Sequence, residues 1–469
     1  MPGFMVSSWR CLVLTNGEPM SFAPHYAHHI ERLCNLYEQA LTEVSGHFEA
    51  VLLHSGSEQY FYADDQAKPF RAYGHFAHWL PVNRPDQLLL IRPGKQPVYF
   101  QVCPRDFWYE QDIHLDDWVA AQFDVQVFGD SREAAAALAL HLPGVTAARI
   151  AFLGEQCAWA EAAGIPASAH NPTALLRWLD YQRACKSPYE AACIRHANRH
   201  ALTGHTAARH TFLDGGSEYD IHMSYLQACR ILDDETPYTN IVALDEKAAI
   251  LHYQNKRRSA APDSQVLLLD AGCRSQGYCS DITRTSTRPH TPALFVSLVD
   301  AVQTLQTELI EAVAPGVPYP DIHAAAQRGI CRILLDHDIC HGSLDTLIEL
   351  NMGGLFMPHG VGHLLGIQVH DVGGKQIDVR GAFRPAPADH PALRTTRTME
   401  ESQVFTIEPG LYFIPQLLDH ERTADNNSAR AGHINWRLVE TLVALGGVRI
   451  EDNVMVTSTG VENLTRVLI

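Results

Sequence analysis

Residues 265–287 read QVLLLDAGCRSQGYCSDITRTST. Two strand-like runs, Leu267 to Asp270 and Tyr278 to Thr285, flank a turn around Arg274 to Gly277, so the segment is expected to close as an antiparallel hairpin. A turn centred between Ser275 and Gln276 sets Asp270 directly opposite Asp281, with their Cβ atoms about 5 Å apart. Two carboxylates at ~4 Å repel by about 4 kcal/mol in an effective dielectric near 20. Either the pair faces solvent at a sheet edge, or a positive group neutralises it. The apolar run Leu267-Leu268-Leu269 beside Asp270 favours the second.

Other stretches supply more polar groups in apolar settings. Residues 359–374, HGVGHLLGIQVHDVGG, carry His359, His363 and His370. His359 and His363 share one side of a helix or of a strand. Gly360 and Gly362 disfavour the helix, and the glutamate of a helical H-E-x-x-H zinc site is missing. An extended segment fits better, with glycine permitting close backbone approach; any one of these histidines alone also suits a core or a turn. VFTIEPGLYF sets Glu408 at the end of an apolar strand, where a carboxylate requires a partner. GGVRIEDNVMVT does the same for Glu451, with Arg449 on the same strand face and a simple Arg449–Glu451 ion pair as the alternative. Four carboxylates and one imidazole form an oxygen-rich set suited to hard or borderline dications. Two such ions, ~3.5 to 4 Å apart, would balance the charge, activate a bridging water and polarise a carbonyl or phosphoryl oxygen. The residues alone lead to a two-metal hydrolase.

The chain around them has 469 residues, enough for two or three domains, and its 46% apolar and 19% charged content is that of a globular protein. A formal charge of −17 argues against nucleic acid and anionic membranes as partners. No apolar run approaches the ~18 residues that span a bilayer, and the N-terminal stretch lacks a signal-peptide progression; a cytoplasmic protein is expected. Eleven dispersed cysteines with no C-x-x-C pair argue against a disulfide framework or a zinc ribbon. The first ~170 residues alternate strands (EAVLLHS, ARIAFLG, and a hairpin turning at Pro93-Gly94-Lys95) with the helix SREAAAALALHL, and contain no phosphate loop. Ser187, Pro188 and Glu190 form a capping-box signature, so a long helix starts at Pro188 and a new domain opens near residue 180. Ser217 with Asp220 repeats the device for a helix through about Leu232. Strand-like runs reach ILHYQN, and helices follow near 292–314 and 320–337.

The ordered set Asp270, Asp281, His363, Glu408 and Glu451, within PYTNIVALDEKAAILHYQN, LLLDAGCRSQGYCSDITRT, FMPHGVGHLLGIQVHDVGG, TIEPGLYF and GGVRIEDNVMVT, resembles the pita-bread metallopeptidases. That group contains methionine aminopeptidase, aminopeptidase P and prolidase. The motifs look most like those of bacterial Xaa-Pro dipeptidases and the related organophosphorus acid anhydrolases, from about Tyr26 to the C-terminus. The resemblance implies an α/β N-terminal domain of the creatinase N-terminal, ribonuclease H-like type over residues 21–180, after an extension at 1–20. An α+β pita-bread catalytic domain over 181–469 follows. It implies two divalent ions per subunit, with manganese expected and cobalt or zinc as alternatives, held by Asp270, Asp281, His363, Glu408 and Glu451. His252, His359, His370, Glu408 and Arg449 become catalytic residues: His252 and His370 steady the tetrahedral intermediate, Glu408 relays the proton, and Arg449 supports the ligands. Arg394 holds the substrate carboxylate, Tyr238 and Tyr319 line the pocket, and Asp65 of one subunit of a homodimer reaches the partner's site.

Departures accompany the likeness. Leu364 stands where the dipeptidase branch commonly has proline, and Met20 is an alternative initiator. Cys273 and Cys279 are expected as small packing residues, and ERTADNNSARAGH as a surface loop. Three rivals to a dipeptidase stand: an aminopeptidase P acting on longer peptides, a phosphotriester or fluorophosphonate hydrolase, and a non-catalytic binding module. Arg394 speaks against the first and the five ligands against the last.

Overall fold

A computed structural model describes residues 22–423 and 429–466. The proposed extension, Met20, and part of the expected surface loop (424–428) lie outside these residues. The N-terminal part centres on a five-stranded mixed sheet. Ala50–His54 pairs antiparallel with Leu88–Ile91 and parallel with Ile150–Leu153; Val98–Val102 continues outward and Asp124–Phe128 closes the edge. The three inner strands and Ile150–Leu153 are buried along their whole length. This explains their near-continuous apolar runs, because a sheet covered on both faces has no polar side. The apolar cluster here does not stop at the sheet: Tyr189, Cys193, Tyr278, Leu365 and Val404 from the later half complete it.

The long helix of the later half starts where expected. Ser187 Oγ accepts from the Glu190 N–H at 3.3 Å, the Glu190 carboxylate accepts from the Ser187 N–H at 2.8 Å, and helix Pro188–Leu213 follows. The second capping box also forms, but its helix, Glu218–Cys229, stops short of Leu232 at Arg230, which takes left-handed backbone. Helices Ala293–Glu311 and Tyr319–Asp336 match the expected positions. By length and composition alone Ala293–Glu311 could cross a membrane, yet Phe295, Leu298, Val302, Leu305 and Leu309 are buried and the helix packs on strands Val404–Ile407 and Gly447–Arg449. It is a core helix.

Small sheets occupy the centre of this half. Val266–Asp270 lies between Ile241–Leu244 and Thr283–Thr287, while Val404–Ile407, Asp452–Val456 and Val461–Asn463 form a second sheet, and Gly410–Tyr412 pairs with Gly447–Arg449. Strand character ends at Leu244: the segment to Ala249 is 3-10 helix, and ILHYQN is a turn and loop rather than a strand.

Candidate metal centre

The hairpin closes one residue later than its expected centre. Gln276 and Gly277 form the turn with φ of 50° and 86°, the positive angles a two-residue hairpin loop requires and glycine accepts readily. Asp270 therefore faces Thr283, not Asp281. Asp281 lies two residues away on the partner arm, a diagonal neighbour on the same face.

All five candidate ligands meet where the small sheets end. Asp270 closes Val266–Asp270, Asp281 precedes Thr283–Thr287, Glu408 follows Val404–Ile407, and Glu451 sits between Gly447–Arg449 and Asp452–Val456. His363 comes from the glycine-rich segment, which is extended and is laid along Val404–Ile407. Its N–H donates to Thr406 Oγ1 at 3.1 Å, and the Thr406 N–H donates back to the His363 carbonyl at 2.9 Å. Gly362 makes this approach possible, since a Cβ there would stand 2.0 Å from the Thr406 carbonyl oxygen at a φ of 152°.

The imidazole of His363 has a defined tautomer. Nδ1 lies 3.0 Å from the Leu364 carbonyl, which can only accept, so Nδ1 carries the proton. Nε2 then points at Asp281 Oδ2 (3.3 Å) and Glu408 Oε1 (3.8 Å). A bare nitrogen lone pair aimed at two carboxylates is unfavourable unless a cation or a second proton lies between them. Asp281, His363 and Glu451 offer donor atoms within 4.8 Å of one another, and the carboxylates Asp270 and Glu408 border the same cavity.

The electrostatics point the same way. Burial pushes Asp270 up to about 6 against the pull of Arg449, and Glu408 up to about 7 against those of His363 and Arg449. Burial, then Asp281 and Glu408, lift Glu451 well above the carboxylate range. Burial also acts on Asp281 and His363, but their mutual contact outweighs it, holding Asp281 down and His363 up. Four buried carboxylates with this much mutual repulsion fit a pair of divalent ions.

A linkage prediction follows for protein stripped of metal by a chelator. Carboxyls with raised folded pKa values bind more protons folded than unfolded, so stability is present below about pH 4.5 and is lost as pH rises through their folded values. Raising Glu408 from 4.5 to about 7 alone corresponds to roughly 3 kcal/mol. His363, also raised, acts in the same direction; Asp281, lowered, contributes only below about pH 4, and His359 and His370, held near 4, act oppositely up to about pH 6.5. The carboxyl contribution is therefore read as a difference: the gap in denaturant midpoint between metal-replete and stripped protein is expected to widen from about pH 5 to about 7.5. A gap that stays constant across that interval would contradict it.

Around the centre, Arg449 pairs with Asp270 Oδ2 at 2.6 Å rather than with Glu451, and also donates to Thr283 Oγ1 and the Tyr412 hydroxyl, both at 3.0 Å. Tyr412 in turn meets His359 Nε2 at 3.0 Å, while His359 Nδ1 donates to the Gly360 carbonyl at 2.8 Å. Burial, then Arg449, holds His359 at about 4, so it is neutral and accepts from Tyr412. Thr283 donates to Glu451 Oε2 at 2.6 Å, and Asn453 Oδ1 accepts from the Asp281 N–H at 3.0 Å. Thr283, Thr406, Tyr412 and Asn453 were not singled out from sequence. Tyr412 is the one with a readable signal, four residues beyond Glu408 in an apolar strand.

Two cavities open onto the centre. A chamber of about 260 Å³ is lined by His252, His359, His363, His370, Arg394 and the acidic ligands. A larger cleft of about 1040 Å³ extends from Tyr238, His252 and His370 to Arg71 and Glu155 of the N-terminal half. Arg71 donates to the Asp234 carbonyl at 2.8 Å and also to that of Thr236, which ties the Tyr238 loop to the N-terminal half. Tyr238 reaches deeper than a pocket wall, its hydroxyl donating to Asp270 Oδ1 at 2.7 Å. The expectation for Tyr319 fails: it is fully buried, lines neither cavity, and donates its hydroxyl to the Thr406 carbonyl at 2.9 Å. Asp65 is exposed beside the Tyr60–Ala67 bridge and lines neither cavity. Cys273 and Cys279 are buried packing residues, and the ten described cysteines are free.

Known proteins resemble this chain over nearly its whole length. Xaa-Pro dipeptidases of Marinobacter nauticus and Pseudoalteromonas atlantica are 42% and 40% identical, covering 93% and 94% of this chain and 96% and 97% of their own lengths. Zinc-substituted Escherichia coli aminopeptidase P in complex with product shares the fold at a TM-score of 0.71 and 24% identity, over 95% of this chain and 96% of its own. Residues 24–181 match the N-terminal domain of Xaa-Pro dipeptidases. With residues 192–458 matching the peptidase model itself, an α/β domain followed by a pita-bread domain, the chain belongs to metallopeptidase family M24.

Proposed function

We propose that this protein hydrolyses Xaa-Pro dipeptides with two divalent ions held by Asp270, Asp281, His363, Glu408 and Glu451. The observation that carries the proposal is the convergence of those four carboxylates and one imidazole beside a small chamber with Arg394 in its wall. The names and near-full-length coverage of the relatives support it. Bound divalent ions, with manganese expected and cobalt or zinc as alternatives, supply Lewis acidity that lowers the pKa of water and polarises the scissile carbonyl.

The chain's own residues do the rest. Glu408 accepts a proton from the attacking water and returns it to the leaving proline nitrogen, a role that suits its place in the wall of the chamber. Burial, then His363 and Arg394, keep His370 near 4, so at neutral pH it is an uncharged hydrogen-bond donor for the developing oxyanion. His252 faces the same space from its loop. Arg449 holds Asp270, and through Tyr412 it orients His359. Arg394 offers a two-pronged contact to the substrate carboxylate. Because the amide before proline has no N–H, recognition falls on the ring and the termini.

Arg394→Ala is expected to keep both ions and to raise KM for Ala-Pro about 10- to 100-fold, since a charge-assisted contact is lost. Unchanged kinetics would remove that residue's role. The test of function itself is metal-replete enzyme assayed on Ala-Pro, Ala-Pro-Ala and a phosphotriester. Equal efficiency on the tripeptide would overturn the dipeptidase assignment, and preference for the phosphotriester would overturn the peptide reading. Domain limits at 21–180 and 181–469, a cytoplasmic location, consistent with the free cysteines, and a homodimer placing Asp65 near the partner's site belong to the same proposal.

A further inference from the structure

A buried ion triad joins the interdomain linker to the loop that carries His370. Arg183 ends helix Thr173–Arg183, and Lys186 directly precedes the Ser187 cap, so both cations come from the few residues connecting the two halves. Asp371 receives both: Arg183 reaches Oδ1 at 2.6 Å and Lys186 reaches Oδ2 at 2.8 Å. The three side chains are 2%, 0% and 1% exposed, so no solvent path competes for these contacts.

Each member is tied further. Arg183 also donates to Gln368 Oε1, and Lys186 to the Arg183 carbonyl at 2.8 Å. The Asp371 N–H donates to the Leu364 carbonyl at 2.9 Å, the same oxygen that fixes the tautomer of His363. Two glycines make room: a Cβ on Gly366 would stand 2.2 Å from Asp371 Oδ2, and one on Gly74 of the N-terminal half would stand 2.8 Å from an Arg183 nitrogen. Between these anchors sits His370, its ring edge-on to His363 with centroids 4.4 Å apart at 89°. His370 itself makes no hydrogen bond among the described residues, so its place depends on its neighbours. A carboxylate gripped by two cations from two directions cannot rotate, and the backbone it anchors cannot drift.

We infer that Asp371, clamped by Arg183 and Lys186, is a positioning residue that sets His370 against the reacting carbonyl and makes turnover depend on the linker between the two halves. The inference rests on the dipeptidase reading for the role of His370, but not for its position. A misplacement of about 1 Å at a catalytic group can cost on the order of 100-fold.

The test is a double-mutant cycle on metal-replete enzyme. Asp371→Asn is expected to lower kcat on Ala-Pro about 30-fold with KM within about threefold and two ions still bound, and to cost less than about twofold when added to His370→Ala. Losses that multiply across the two sites would overturn the inference, because a purely structural defect acts whether or not His370 is present. Lys186→Met, which leaves the Arg183 contact, replaces Asp371→Asn in the cycle should the latter fail to fold. A crystal structure of the variant gives a readout independent of activity: the His370 ring is expected to leave its edge-on contact with His363, and a ring that stays in place would overturn the inference. Wild-type enzyme inactive on Ala-Pro would sink the dipeptidase reading instead, leaving the structural readout to decide the role of Asp371.

Discussion

Glu408→Gln is expected to lower kcat on Ala-Pro by at least about 1000-fold while KM changes by no more than about threefold. Glutamine keeps the size and one oxygen of the side chain but can neither accept a proton nor supply the fourth negative charge. Glu408 is the candidate ligand best placed for proton transfer: it borders the chamber and lies 3.8 Å from both His359 Nδ1 and His363 Nε2. Proton relay alone contributes typically 10²- to 10⁴-fold. Steady-state kinetics with metal content measured on the same sample would check this. A variant keeping more than about a tenth of wild-type kcat would remove Glu408 from the proton path.

His363→Ala is the second large effect. Loss of the one imidazole in the set should leave fewer than two ions bound and cut activity by about 1000-fold or more, because the variant lacks the nitrogen aimed between Asp281 and Glu408. The protein should still fold, since the segment is held by backbone contacts to Thr406 rather than by the ring. Isothermal titration of the chelated variant with Mn(II) would measure the loss. Two tight equivalents in His363→Ala would contradict the ligand assignment.

These two variants separate the roles that one constellation combines. Glu408→Gln tests chemistry at a site that retains most of its ligands, while His363→Ala tests the site itself. Arg394→Ala, outside the acidic set, should change neither metal content nor pH-dependent stability, only the binding of substrate.

The five candidate ligands stood out in sequence because each breaks a local rule: a carboxylate at the end of an apolar strand, or a histidine among glycines, calls for a partner. Helix starts were legible for a related reason, since a capping box is a short-range signal complete within four residues. Register was less so. The hairpin slipped by one residue from its expected centre because Gly277, not Gln276, had to occupy the second turn position, as the backbone angles and the strand register show. Contacts made across sheets were not legible at all. Nothing local couples Thr283 to Glu451, or Tyr412 to Arg449 and His359; the fold brings them together over 168, 37 and 53 positions. The same holds for Tyr319, whose expected pocket role gave way to burial under Phe405 and Thr406. Nothing local marks Arg183 and Lys186 either; the fold encloses them with Asp371.

What all of this needs is a pair of metal ions at the meeting point of the small sheets. Elemental analysis of purified enzyme, with Ala-Pro turnover followed on the same samples as a chelator is titrated in, tests that need most directly. Activity should fall in proportion to divalent metal, reaching background as occupancy drops from two ions per chain to none, and return on adding Mn(II). Full turnover by protein holding less than about a tenth of an ion per chain would contradict it.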